Sequence, residues 1–177
     1  MNRGRYLEDF SVGETIDHRR GHTVTEADNE LLSLLTMNTA QTHFNRASLP
    51  EYFGGAFTEL PLSAPVALAI AIGLTSADMS EDAVRDHGCT AFRTPGPIFA
   101  GDSLMVSSEV LRVEDDSSSR HGRLTYRLIA RVDERVVLSA ERTVILKRRS
   151  AHEADDADHD ERKRVVLTRL LDDSSHL

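Results

Sequence analysis

A chain of 177 residues with 40% hydrophobic content is long enough to bury one substantial core, which makes a single domain the default reading. Its formal net charge of −8 argues against a surface built as a whole to attract nucleic acid, while leaving room for a local basic patch facing an anionic ligand. A single cysteine, Cys89, excludes an internal disulfide, no apolar run reaches membrane-spanning length, and the charged opening MNRGRYLEDF lacks signal-peptide character; the expectation is a soluble cytoplasmic protein.

In chain order, ETIDHRRGHTV reads as a first short strand. TEADNELLSLLTMN then opens with Thr25 as N-cap and Asp28 in the capping-box position, and sets Leu31, Leu34 and Leu35 on one helical face, so the helix is expected to end near Met37 or Asn38. A polar stretch, TMNTAQTHFN, separates it from EYFGG. SAPVALAIAIGLTSA predicts a second helix that Ser63 can cap and whose first turn tolerates Pro65. Val66, Leu68, Ile70 and Ile72 leave that helix almost no polar side, so it should be buried.

The C-terminal half is strand-like. CTAFRT reads as a short strand and SLMVSSEVLRV as a long one. RLTYRLIARV places Leu124, Tyr126, Leu128, Ala130 and Val132 on one face, and VVLSAERTVIL alternates with only Arg142 out of pattern; joined by DER, the two should pair as a hairpin. One long antiparallel sheet wrapped round a central apolar helix accommodates all of these segments, placing the chain in the α+β class.

From residue 150 the composition changes. Residues 150–177 carry half of the net charge and lack apolar periodicity at first, which predicts a flexible acidic tail after a folded domain spanning 1–149. VVLTRLL within the tail can form a short helix. The tail's His152, Glu153, Asp155, Asp156, Asp158, His159 and Asp160 are residue types that bind metals, but they have no ligand spacing, so no metal site is predicted.

GRYLEDFSVGETIDHRRGHTVTEADNELLSLLTMNTAQTHFN, then YFGG, then FRTPGPIFAGDSL followed by long strands, resembles the MaoC-like dehydratases, hotdog-fold hydratases of enoyl-CoA thioesters. The likeness is greatest to members that act on branched or dicarboxylic acyl groups such as mesaconyl-CoA or itaconyl-CoA, and it runs from Tyr6 to Arg149. It implies a hotdog domain, a homodimer or larger homo-oligomer, and an acyl-CoA or carrier-bound acyl thioester as substrate, with no metal or redox cofactor, membrane or nucleic acid.

The resemblance also implies a site. The family's catalytic Asp and His, five residues apart in the loop after the first helix, fall here on Asn38 and His43. Hydration needs a base for water and an acid for the α-carbon, and an imidazole can serve as either. An amide can orient water and cannot deprotonate it. The small residue, usually glycine, that opens the family's central helix and faces the thioester oxygen falls on Ala64, beside Pro65, which has no N–H. Ser63 either caps that helix or contacts Asn38 or substrate. Gly54 and Gly55 are turn glycines that can also admit a substrate to the backbone, and Arg93 is a candidate for phosphate or carboxylate. His18, His22, His87 and His121 show no partner pattern and are expected to face solvent. Two other readings stay open: a hotdog thioesterase, and a non-catalytic acyl-thioester-binding or assembly subunit, the second suggested by Asn38 and Ala64.

Overall fold

The computed structural model describes residues 4–115 and 119–151. Five strands, β1 (Thr15–Thr23), β2 (Ala83–Arg93), β3 (Ser103–Glu114), β4 (His121–Val132) and β5 (Arg135–Lys147), form one antiparallel sheet in the order β1-β3-β4-β5-β2. It is accompanied by α1 (Glu26–Leu35), α2 (Leu49–Phe53) and α3 (Ala64–Met79).

The apolar α3 packs against β1, β3 and β4, burying Val66, Ala67, Ala71, Thr75 and Met79 among the inward residues of the sheet. Leu124, Tyr126, Leu128, Ala130 and Val132 of β4 all lie inside, as their alternation requires. β4 and β5 form the expected hairpin, with Val132 opposite Arg135 across a turn in which Asp133 takes a φ of 50°. This is the helix-in-sheet arrangement expected of a hotdog domain. Of the proposed tail, residues 150–177, Ser150 and Ala151 are helical, with Ala151 buried, and residues 152–177, with the VVLTRLL segment and the acidic and histidine residues, lie outside the described residues.

Three expectations are corrected. β2 extends well before CTAFRT; three register irregularities along its pairing with β5, and positive φ values at Gly88 and Ala91, erase the alternation by which a strand is recognised. His18 is not solvent-facing. It lies in the irregular stretch of β1 between Asp17 and Gly21, where its buried imidazole meets Asp78 Oδ2 through Nδ1 and Ser108 Oγ through Nε2, both at 2.8 Å. His22 likewise has a partner, Asp28 Oδ2 at 3.1 Å.

The third correction concerns α1. Its capping box forms as expected, with Asp28 N–H donating to Thr25 Oγ1 at 3.1 Å and Thr25 N–H to Asp28 Oδ2 at 2.7 Å. Yet the helix buries Asn29 and Ser33, while Leu31, Leu34 and Leu35 face outward. Asn29 is inside because its amide bonds the polar junction at Pro61 and Ser63, while Leu32 packs against the core and the buried Ser33 hydroxyl has no partner among the described residues.

Arg142 is out of pattern for a reason. It is 7% exposed, and its guanidinium gathers groups from three elements. Nε and Nη2 donate to Asp86 Oδ2 at 3.1 and 2.7 Å, and Nη1 donates to Tyr126 Oη at 2.8 Å and Ser80 Oγ at 3.1 Å. Burial alone would raise the Asp86 pKa; hydrogen bonds from Arg142 and the Gly88 N–H, with the charge of Arg142, outweigh it and hold the carboxyl below its ordinary 3.8.

The stability from this pair is therefore complete above pH 3.8 and is lost as pH falls through the depressed folded value. In urea titrations at neutral pH, Asp86→Asn should cost about 1–2 kcal/mol, the lower part of the range because Asp86 is half-exposed. The difference from the parent should shrink only below the ordinary carboxylate range.

Candidate active site at the start of α3

Thr36 ends α1 and the chain then turns through Met37, whose φ is 54°. Met37 N–H donates to Leu34 O at 3.0 Å and Asn38 N–H to Ser33 O at 2.9 Å, the pair of bonds that closes a helix with a left-handed residue. Glycine usually occupies that position, because a side chain there costs about 1–2 kcal/mol. The turn aims Asn38 back toward α3. Asn38 Oδ1 accepts from the Ala40 N–H at 2.9 Å, and Nδ2 approaches Ser63 Oγ at 3.4 Å.

Beyond Ala40, a single 3-10 turn (Gln41–His43) presents His43. Its Nδ1 lies 2.8 Å from the carbonyl oxygen of Pro61. A carbonyl only accepts, so Nδ1 carries the proton and the neutral ring keeps its lone pair on Nε2. That is the tautomer a base requires.

At the start of α3, Ser63 holds the N-cap position without capping: its side chain accepts nothing from the first turn, and its hydroxyl faces Asn38 instead. Of the alternatives for Ser63, contact with Asn38 is the one realised. Pro65 supplies no N–H, and the N–H of Ala64 meets no acceptor among the described residues. An uncapped helix start of this kind is suited to a developing negative charge.

Two cavities flank this helix start. One, of about 380 Å³, is lined by Asn38 and Ser63 together with Leu32, Thr36, Pro65, Val66 and Ala69. The other, of about 360 Å³, is lined by Ala64, Ala67, Pro61, Phe53, Phe57 and the Thr94–Ile98 loop. Asn38 and Ser63 therefore meet directly, whereas Ala64 and the carbonyl that holds His43 belong to the second cavity.

Gly54 and Gly55 have φ values of 57° and 84°, and a Cβ on either would meet nothing within 4 Å. Conformation rather than close approach explains them: they end α2 and bring Phe57 back onto Phe53, with ring centroids 4.7 Å apart. Those two aromatics wall the second cavity, and only the adjacent glycines hinted at them. Arg93 is exposed, donates to the carbonyl of Phe92 at 2.9 Å, and is absent from the lining of both cavities.

Sequence reasoning missed Asn29. It is 5% exposed, and its Nδ2 donates to His43 O at 2.8 Å and Pro61 O at 3.1 Å while its Oδ1 accepts from Ser63 N–H at 3.1 Å. Asn29 sits among the leucines of α1, and its one signal was polarity on a helix whose neighbours are apolar.

A five-stranded antiparallel sheet around an apolar helix, with a histidine loop beside the open helix start, defines a MaoC-like hotdog dehydratase domain. A family model described as mesaconyl-CoA hydratase matches residues 1–175, and the chain belongs to that family. It is 33% identical over 126 residues to the mesaconyl-CoA hydratase of Cereibacter sphaeroides, covering 69% of this chain and 34% of that protein. Against the β-methylmalyl-CoA dehydratase of Chloroflexus aurantiacus it is 27% identical over 121 residues, or 68% of this chain and 34% of that protein.

Among solved structures, a putative MaoC domain dehydratase from Chloroflexus aurantiacus superposes with a TM-score of 0.77 at 25% identity, covering 85% of this chain and 42% of that one. A Mycobacterium tuberculosis protein described as a double hotdog fold matches at a TM-score of 0.70 and 17% identity, over 82% of this chain and 44% of that one. The chain thus spans about one third of the length of the curated relatives it matches.

Replacing Met37 by glycine removes the left-handed side chain at a position that is 84% exposed. Met37→Gly should raise the unfolding free energy by about 0.5–1 kcal/mol, since part of the relief is offset by the greater freedom of glycine in the unfolded chain. Urea unfolding checks this.

Proposed function

We propose that the chain hydrates and dehydrates an acyl-CoA thioester, with His43 as the proton carrier and Asn38 as the residue that holds water. The observation that carries the reading is the Nδ1–H of His43 bound to the carbonyl of Pro61, two residues before the uncapped N-cap Ser63, a bond that leaves the lone pair on Nε2. Water gives a proton to Nε2 as its oxygen bonds to the β-carbon. The electrons of the double bond move toward the thioester oxygen, where the Ala64 N–H stabilises the enolate. The same Nε2–H then protonates the α-carbon, and the imidazole returns to its starting state. One group serves both steps, so a carboxylate at Asn38 is not required.

Asn38 has one hydrogen on Nδ2 and one lone pair on Oδ1 beyond those engaged with Ser63 and Ala40, which is enough to orient a water. The neighbours also suit an aspartate there, because the Ala40 N–H and the Ser63 hydroxyl can both donate to a carboxylate. The names of the relatives favour a short branched or dicarboxylic acyl group.

For assembly we propose at least a homodimer. The exposed leucine face of α1, the open edges of β1 and β2, and the likeness to half of a double hotdog chain all support a second hotdog unit beside this one. The second reading, an assembly subunit, draws on the same apolar face. The thioesterase reading gains little from the Ser108–His18–Asp78 chain of hydrogen bonds. Its spacing is that of a hydrolytic triad, but Ser108 is 1% exposed and lies under the sheet beside α3.

With crotonyl-CoA or mesaconyl-CoA as substrate, the protein should bleach the enoyl-thioester absorbance, and His43→Ala should lower kcat/KM by about 10²–10⁴-fold while retaining thioester binding. Asn38→Asp should keep the fold and the activity. Release of free thiol would point to the thioesterase. No turnover across a wider thioester panel, with equal binding by parent and His43→Ala, would leave the assembly subunit.

A further inference from the structure

We propose that Asn29 is a positioning residue for His43, setting the tautomer of its imidazole and the angle of the α3 start through one shared carbonyl. The oxygen of Pro61 receives two N–H groups, Nδ1 of His43 at 2.8 Å and Nδ2 of Asn29 at 3.1 Å. The second hydrogen of the Asn29 amide goes to the main-chain oxygen of His43 itself, at 2.8 Å. Its oxygen takes the N–H of Ser63, the residue immediately before the open amide of Ala64.

A single amide group thus clamps three backbone segments: the histidine loop, the connector that holds the imidazole, and the helix start. The chemistry is specific. Two donors and an acceptor on a short stem are available from asparagine and not from aspartate, serine or leucine. All three bonded groups are main-chain atoms, so without the amide the His43 carbonyl and the Ser63 N–H lose their partner, the Pro61 carbonyl keeps only His43 Nδ1, and the segments move relative to one another. If the Pro61 carbonyl turns away, Nδ1 of His43 loses its acceptor, and nothing then holds the proton off Nε2. The identity of residue 29 therefore reaches the proton-carrying nitrogen without touching substrate.

The inference about activity rests on His43 being the proton carrier; the inference about the tautomer does not. Asn29→Asp retains the shape and the acceptor for Ser63 but loses both donors, and Asn29→Leu loses all three bonds at similar volume. Imidazole nitrogen NMR on histidine-labelled full-length protein at alkaline pH reads the tautomer directly, with circular dichroism and thermal unfolding to identify the folded variants.

The parent should show His43 protonated on Nδ1, and the folded variants should shift toward protonation on Nε2. In the hydration assay kcat should fall by about 10–10²-fold, as for a misplaced catalytic group, with KM changed far less. A parent that already carries its proton on Nε2 would overturn the proposal. So would folded variants that keep both the parent tautomer and the parent kcat. If the parent hydrates no thioester, the activity reading fails by itself, and the NMR comparison still decides the role of Asn29.

Discussion

The sixteen-residue α3 is apolar nearly all round, and covering one face of it, Val66, Ala67, Ala71, Thr75 and Met79, is the constraint on which the rest of the molecule depends, while Pro65, Ala69, Gly73 and Ala77 on the other face stay exposed in the single chain. The sheet closes over it from β1 to β4, and the start of the helix is carried inward with it. A buried helix start has to account for its free N–H groups. Here the side chain that would ordinarily cap it, Ser63, is turned to Asn38, while its main-chain N–H is taken by Asn29. Pro65 removes one N–H from the first turn, and the amide of Ala64 is left open. The fold thereby generates an anion-favouring position from the same apolar helix that stabilises it.

Much of this was legible where a local rule and the global fold agree. The capping box at Thr25 and Asp28, the alternation of β4 and β5, and the apolar run of α3 each follow from spacing alone, and each stands in the structure. The failures have a common cause: positions whose environment is set by a distant segment. Asn29 lies inside because its amide bonds the polar junction around Pro61 and Ser63, and with that side of α1 turned in, Leu31, Leu34 and Leu35 point outward. His18 is internal because β1 bulges there and Asp78, sixty residues away, comes to meet it. Arg142 was visible as a break in pattern, but its partners at Asp86, Ser80 and Tyr126 come from elsewhere in the chain.

At the candidate site, the positions named from the sequence divide into three kinds. Asn38 and Ser63 meet each other; His43 is anchored to Pro61, which lines the second cavity, without lining either cavity itself; Gly54, Gly55 and Arg93 stand apart from both linings. The left-handed Met37 that aims Asn38 is a local strain held by the helix end before it, the kind of backbone outlier that collects where a side chain must point in a given direction. The outward leucines of α1 are the apolar face that the proposed second hotdog unit would cover.

The central claim is that one imidazole and one helix amide act on the same thioester. A crystal structure with a bound 3-hydroxyacyl-CoA tests it most directly. The account predicts the thioester oxygen about 2.7–3.1 Å from the Ala64 nitrogen, with the 3-hydroxyl within hydrogen-bonding reach of His43 Nε2 and Asn38. A thioester bound away from the start of α3, or a hydroxyl that meets neither His43 nor Asn38, would contradict it.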